Sequence, residues 1–531
     1  MTMEKITVQR QPSYLRVQTN EGHYLIRNRN RDNHWRHGDI SIQTVSGDDN
    51  LKIYLTGGPT PVLQFQLRWQ QRIPENLRFL GDHWERSYGD MAWNSMFPDK
   101  PMPWYFLTFD GTQIQGHGVK TGAAAFCHWQ VDPFGVSLVM DVRSGGVGVE
   151  LNGRNLEVAT IIEYSPKTGE TLYENARNFV THLCDHPLIP TQPAYGVNNS
   201  YSAHGHGTRE QILTDSARHA DLATNSANRP FSLIDMGWEN SRSGTLSNWR
   251  AGNERFADMD QLAAKIKTLG ARPGIWYRPL LSHEGVPERW ILTSREDFTG
   301  HGRCILDPTV PEVQRQIRDD IKLLTAQWGY ELIKYDATTR DILGRWGKNM
   351  TSEGGVTDEG WRFSDSSRTN AEVLINLYRL IHHAAGPSLL MGCNTVGHLC
   401  AGHVHLQRIG DNTSSRDWNI TRKMGVNTLA FRAMQHRALF AVDADCVGLS
   451  KEIPWKMNQQ WLDLLAASGT SLFVSADVDY LKDKQTAALR AAYTRAAKPQ
   501  PLIQPIDWLN NSCPTRWKAG EEFLEFNWWN I

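Results

Sequence analysis

Short runs of alternating apolar and polar residues fill the first third of the chain. ITVQR, YLRVQT, HYLIRNR, ISIQTV, LKIYLT, LQFQLRW, WYFLTF, VSLVMDV and VGVEL follow one another, separated by turn signals such as SGDD, TGGP and FDGT. Alternation places every second side chain on one face of a strand, and many short strands at this spacing predict a β-sandwich. We assign it to residues 1–187, with no helix of length. The pattern changes near Leu188, where LIPTQPAYG reads as a linker. Beyond it, apolar strand runs alternate with amphipathic helices. The runs are 193–199, 231–238, 271–279, 330–337, 388–395, 404–411, 438–445 and 470–477. Among the helices, Met259, Leu262, Ala263 and Ile266 share one face, and Gly270 stands where a C-terminal cap belongs. Such alternation predicts a (β/α)8 TIM barrel over 188–497. A doubly wound sheet fits less well, because no Gly-rich phosphate loop follows the first strand. Residues 498–531 return to strands and form a small C-terminal β domain.

Composition narrows the function classes. Of 531 residues, 56 are Lys or Arg and 57 Asp or Glu, a net charge of −1. Without surplus cations to neutralise phosphates, no nucleic-acid partner is expected. No apolar run of about 18 residues predicts a membrane span. The N-terminus lacks the apolar core of a secretory signal, and seven scattered Cys without a CxxC predict reduced thiols and a cytoplasmic location. Twenty Trp suit a protein that stacks sugar rings.

Catalytic groups of such barrels sit at the C-terminal ends of strands. Reading those ends gives Asp235 and Trp238 on strand 2, Trp276 and Arg278 on strand 3, and Lys334 and Asp336 on strand 4. Strand 5 offers Cys393 and Asn394, strand 6 Asp411, and strand 7 Asp443 and Asp445. Asp336 and Asp411 each end an apolar run, across the barrel mouth from one another. Paired carboxylates perform glycoside hydrolysis: one attacks the anomeric carbon, the other protonates the leaving oxygen and then activates water. Lys334, two residues before Asp336, faces the same way and is expected to keep it ionised.

Two other classes stay open. His204-Gly205-His206 resembles the His-x-His pair of metal-dependent amidohydrolases, but the further His ligands that chemistry needs are missing from strands 5 and 6, so the pair reads as a loop near the pocket mouth; no metal or other cofactor is expected. A non-catalytic sugar-binding barrel would keep the tryptophans and lose a carboxylate, and both carboxylates are present. Asp443 and Asp445 are candidates for substrate contact or for turn capping. His382-His383, late in a helix, reads as structural.

Four motifs in order resemble glycoside hydrolase family 36, the α-galactosidase (melibiase) group. Ile333-Lys334-Tyr335-Asp336 resembles the family's nucleophile motif after strand 4. Gly410-Asp411-Asn412-Thr413 is similar to its acid/base stretch after strand 6, with Gly for Ser. Cys393-Asn394-Thr395-Val396-Gly397 resembles its glycine-rich loop after strand 5, and Trp84-Glu85-Arg86-Ser87-Tyr88-Gly89-Asp90 its N-terminal signature. The resemblance implies a β-supersandwich, a (β/α)8 barrel and a C-terminal β domain. It implies a retaining α-glycosidase with Asp336 as nucleophile and Asp411 as acid/base. Asp235, Trp238, Trp276, Arg278, Lys334, Cys393 and Asn394 would bind the substrate, a small α-glycoside or oligosaccharide. Whether the protein forms a homo-oligomer stays open.

Two departures bear on the sugar. Where the family has Asp-Asp-Gly-Trp, this chain has Asp235-Met236-Gly237-Trp238, so one acceptor of the galactose 4- and 6-hydroxyls is a thioether. Where it has Trp-x-Glu-Pro, this chain has Trp276-Tyr277-Arg278-Pro279. A guanidinium there suits an acidic or modified sugar, or pairs with Glu85 or Glu239 as structure.

Overall fold

The structure, a computed structural model, describes residues 5–27, 33–224, 227–240, 249–283, 285–296, 303–351, 355–477 and 479–529. Residues 14–164 build two antiparallel sheets of six and seven strands. Leu51–Thr56 shows why: Leu51, Ile53 and Leu55 are buried, while the residues between them are not. Such inward side chains from both sheets share one hydrophobic core, with Leu15, Phe65 and Leu67 meeting Ile42, Ile53 and Phe106.

Three local expectations are corrected. Residues 6–10 (ITVQR) are not a strand, because the Val8 and Gln9 amides bond to the Glu163 carboxylate instead of a ladder. Residues 147–151 (VGVEL) make only isolated bridges, such as Val62 with Val149. The region does contain a helix, Leu172–His182, started by a Thr171–Glu174 capping box and buried through Tyr173, Ala176, Phe179 and Val180.

The centre of the molecule is a parallel sheet of nine strands: β1 Tyr195–Asn198, β2 Phe231–Ile234, β3 Arg272–Tyr277, β4 Leu332–Tyr335, β5 Leu389–Gly392, β6 Leu406–Arg408, β7 Ala441–Asp443, β8 Cys446–Leu449 and β9 Leu472–Ala476. Their spatial order is β7-β6-β5-β4-β3-β2-β1-β9-β8. The edge strands β7 and β8 are separated in the chain by Ala444 and Asp445 alone, so the sheet curls until its edges meet. One sequence run, 438–445 and its continuation, thus serves as two half-strands. The break falls at Asp445, whose φ of +69° suits the left-handed region that Asp tolerates better than most residues.

Helices flank the strands, among them Arg209–Leu222, Met259–Thr268, Pro311–Lys322, Asn370–Ala385 and Trp455–Ser468. Leu233, Leu332, Met391, Leu406, Ala441 and Phe473 form one packed layer inside the curl. Side chains alternate along a strand. The residues two positions on, Asp235, Lys334, Cys393, Arg408 and Asp443, therefore form the next inward layer. A three-stranded antiparallel sheet, Ile503–Pro505, Arg516–Ala519 and Glu522–Glu525, ends the chain. No helix among the described residues is long and apolar enough to cross a membrane, and Cys127, Cys184, Cys393, Cys400, Cys446 and Cys513 are free thiols.

Candidate active site

Asp336 follows β4 and is gripped by three donors. Trp276 Nε1 donates to Oδ2 at 3.0 Å, Asn394 Nδ2 to Oδ1 at 2.5 Å, and the Ala337 amide to Oδ1 at 2.6 Å. Two neighbouring residues take unusual backbone conformations to make this grip. Ala337 has φ +64° and Asn394 φ +53°, a region that L-residues other than Asn and Asp enter at a cost of about 1–2 kcal/mol. Asn394 is tied down further by Thr339, whose Oγ1 donates to its carbonyl at 2.8 Å.

Lys334 does not bond Asp336. Its Nζ donates to Asp235 Oδ2 at 2.7 Å, and both side chains are buried. Burial works to lower the ammonium, but the surrounding negative charge, Asp235 foremost, outweighs it and holds the group well above the usual lysine range. Cys393 is buried near Lys334 and Asp336, and burial pushes its thiol up, so it stays neutral.

Asp411 follows β6 and is reached from outside the barrel. Ser87 bridges Gly410 in parallel: the Ser87 amide donates to the Ile409 carbonyl at 2.8 Å, and the Asp411 amide to the Ser87 carbonyl at 2.9 Å. The signature at 84–90 is thereby stitched onto the end of β6. It delivers Arg86, whose Nη1 lies 3.0 Å from Asp411 Oδ1. The guanidinium lies over the Trp346 ring, 4.7 Å from its centroid. Glu85, fully buried, accepts from Tyr88 Oη at 2.7 Å and from the Gly347 amide at 2.8 Å. Position 410 has no room for a side chain, since a Cβ there would lie 2.4 Å from the Met424 carbonyl oxygen. That accounts for Gly where the resembled motif carries Ser.

Three sequence candidates sit differently from expectation. Arg278 is buried and forks onto Asp341, with Nη2–Oδ1 at 2.6 Å and Nε–Oδ2 at 3.0 Å. Its partner is neither Glu85 nor Glu239 but a residue of the short helix Thr338–Leu343 that follows β4. Trp238 is fully buried, donates from Nε1 to the Trp276 carbonyl at 2.9 Å, and packs against Trp249; it supports Trp276 from beneath. Met236 is 49% exposed and so does not wall a closed pocket.

Sequence reasoning gave no role to Arg408. This buried guanidinium of β6 pairs with Asp445 and donates to Asn412 Oδ1 at 3.0 Å. Asp445 also accepts from Tyr201 Oη and from the Thr413 amide at 2.8 Å, so it closes the seam of the sheet. The available signal was the alternation that puts Arg408 two residues after inward Leu406. Among the described residues no group of three or more His, Cys, Asp or Glu is arranged to hold a metal ion. His204 itself takes a left-handed turn with φ +45°.

No family model matches the sequence, and no curated protein matches it. Solved structures do resemble the fold. An α-galactosidase from Thermus thermophilus in complex with p-nitrophenyl α-D-galactopyranoside superposes with a TM-score of 0.60 at 15% identity, over 97% of this chain and 99% of that one. A family 36 α-galactosidase from Geobacillus stearothermophilus in complex with 1-deoxygalactonojirimycin gives 0.62 at 13% identity, over 96% and 79%. An α-galactosidase from Lactobacillus brevis gives 0.58 at 12%, over 92% and 73%. The chain therefore has the fold of the family 36 α-galactosidases.

Proposed function

We propose that the protein is a retaining α-glycosidase acting on small α-glycosides or oligosaccharides, with Asp336 as nucleophile and Asp411 as acid/base. The observation that carries this reading is the grip on Asp336. Three donors converge on one carboxylate at a barrel strand end, as a nucleophile that must hold one orientation requires. Asp336 attacks the anomeric carbon while Asp411 gives its proton to the departing oxygen. Asp411 then takes a proton from water, which opens the glycosyl ester and returns the sugar with its configuration kept. Trp276 and Asn394 keep the attacking oxygens in place, and Arg86 orients Asp411. The fold likeness to α-galactosidases supports this reading, as does the paired-carboxylate pattern. In it, residues 188–497 carry the chemistry, and the flanking β regions, 1–187 and 498–531, supply Arg86 and support.

The test is a panel of p-nitrophenyl α-glycosides with native enzyme and Asp336→Ala, the first product being followed by NMR. Turnover by the native enzyme alone, with the α-anomer released first, is expected. A β-anomer first would replace retention by inversion, and undiminished turnover by Asp336→Ala would remove the nucleophile assignment.

A further inference from the structure

The inward layer at the barrel mouth carries cations and carboxylates in near balance. Lys334 is bonded to Asp235, Arg408 to Asp445, Arg278 to Asp341 and Arg86 to Asp411. Each cation already faces a carboxylate, so an anionic substituent on a substrate would compete with one. Asp443 is the exception in this layer. It lies in register with Arg408 across the β6–β7 pair, it is 3% exposed, and its Oδ1 is buried with no hydrogen-bond partner. A buried carboxyl oxygen without a donor is costly, and native structures retain one chiefly where something else supplies the donor.

We propose that Asp443 contacts the substrate: its carboxyl accepts a hydrogen bond from a hydroxyl of a neutral glycone, the acceptor role that Met236 cannot fill. The proposal rests on the α-glycosidase reading and adds to it the class of sugar, a neutral polyhydroxylated one and not a uronic or sulfonated one. Three facts converge on it. Alternation from inward Ala441 aims Asp443 into the same layer as Lys334. Lys334 in turn interacts electrostatically with both Asp443 and Asp336, so the unpartnered carboxyl belongs to the charged group around the end of the fourth strand. The neighbouring carboxylates Asp235 and Asp445 are taken by Lys334, Arg408, Tyr201 and Thr413, whereas Asp443 Oδ1 is not. Hydroxyls are donors, and a buried carboxyl oxygen without a donor, beside cations that already face carboxylates, favours a donor.

The experiment compares p-nitrophenyl α-galactoside and α-glucoside with their monodeoxy analogues and the matching α-uronides. It reads kcat/KM in the native enzyme and in Asp443→Asn and Asp443→Ala. It also reads calorimetric affinity in the Asp336→Asn background, where binding is seen without turnover. One deoxy analogue should be disfavoured about 10–100-fold by the native site, the range for a hydrogen bond to a charged group. Asp443→Ala should erase that single preference while leaving the others, and uronides should bind at least about tenfold more weakly than the neutral parents. Thermal stability of Asp443→Asn should be unchanged or raised, because no donor is orphaned.

A uniform loss across all analogues, a lowered stability with no selective effect, or tighter uronide binding would overturn the proposal. So would failure of every neutral glycoside both to bind and to turn over. If the selective pattern appears in binding while the native enzyme hydrolyses nothing, Asp443 stands and the hydrolase reading falls. If hydrolysis is efficient but Asp443 variants shift no preference, the reverse holds.

Discussion

Arg86 Nη1 lies 3.0 Å from Asp411 Oδ1, so a side chain of the N-terminal β region holds the carboxylate at the end of the sixth barrel strand. The two residues are far apart in sequence, and the backbone bridge between Ser87 and Gly410 brings them together. A charge-assisted bond of this type contributes about 1.5–3 kcal/mol. Arg86→Ala should therefore lower kcat/KM by about 10–100-fold. On the proposed role of Asp411 at the leaving oxygen, the loss should be larger for alkyl than for nitrophenyl glycosides. Asp411→Ala should show the same asymmetry more strongly, and added azide should rescue it with an α-linked product. An equal loss on all leaving groups would remove the acid/base assignment.

The donors on Asp336 give a second prediction. Trp276→Phe and Asn394→Ala each delete one hydrogen bond to the carboxylate, and each should cut kcat about tenfold or more. Both donors serve the same group, so the double variant should depart from additivity. KM should move less than kcat if, as proposed, the bonds orient an attacking atom and do not hold substrate. A rise in KM at constant kcat would instead make Trp276 a sugar platform.

The strand-end carboxylates were legible in the sequence because alternation and strand order alone locate them. Eight apolar runs located eight of the nine strands, the run at 438–445 stopping short of β8, and Asp336 and Asp411 stand at the ends of two of them. Pairing was not legible. Lys334 faces inward as alternation requires, but which inward neighbour it bonds depends on the closure of the sheet, and Asp235 rather than Asp336 receives it. Arg278 likewise finds Asp341 on a helix whose start, at left-handed Ala337, no local pattern announced. The split of the seventh strand rests on one φ angle at Asp445. The helix at 172–182 was readable, since Thr171-x-x-Glu174 is a capping box, but the surrounding strand pattern masked it.

The Arg278–Asp341 pair yields a stability prediction. Both partners are almost fully buried, so removing one takes from the other its opposite charge in the interior, at a cost of about 3–5 kcal/mol. Arg278→Met and Asp341→Leu should each lower the urea midpoint strongly, and the double variant should recover much of the loss. Sugar preference should not change in whatever fraction stays folded. A stable Arg278→Glu with altered preference would show that Arg278 reads the sugar after all.

Acid sensitivity follows from the buried imidazoles. Burial lowers His117, His219, His398 and His436 to about 3, and His128, His403 and His405 to about 4, from an ordinary 6.5. His436 and His405 also accept backbone amide protons from Val442 and Leu390 at 3.1 Å, which a protonated Nδ1 could not do. Their folded pKa values lie below the unfolded one. The unfolded chain therefore binds more protons below pH 6.5, and stability present above that pH is lost as pH falls towards 3. The slope approaches about 1.4 kcal/mol per pH unit for each such histidine. Asp443 and Asp215, raised to about 6 by burial, act in the opposite sense between 3.8 and 6. Burial also raises Glu85, Asp141, Glu163 and Asp463, but the seven imidazoles outnumber these six carboxyls, so the melting temperature should fall from pH 6.5 to pH 5. His117 has no hydrogen-bond partner on either ring nitrogen and stacks on Phe106. His117→Phe should therefore shallow the slope by about one histidine's share, without loss of stability at pH 7.5. A melting temperature that stays level between pH 7.5 and 5 would show that these imidazoles are not held neutral by the fold.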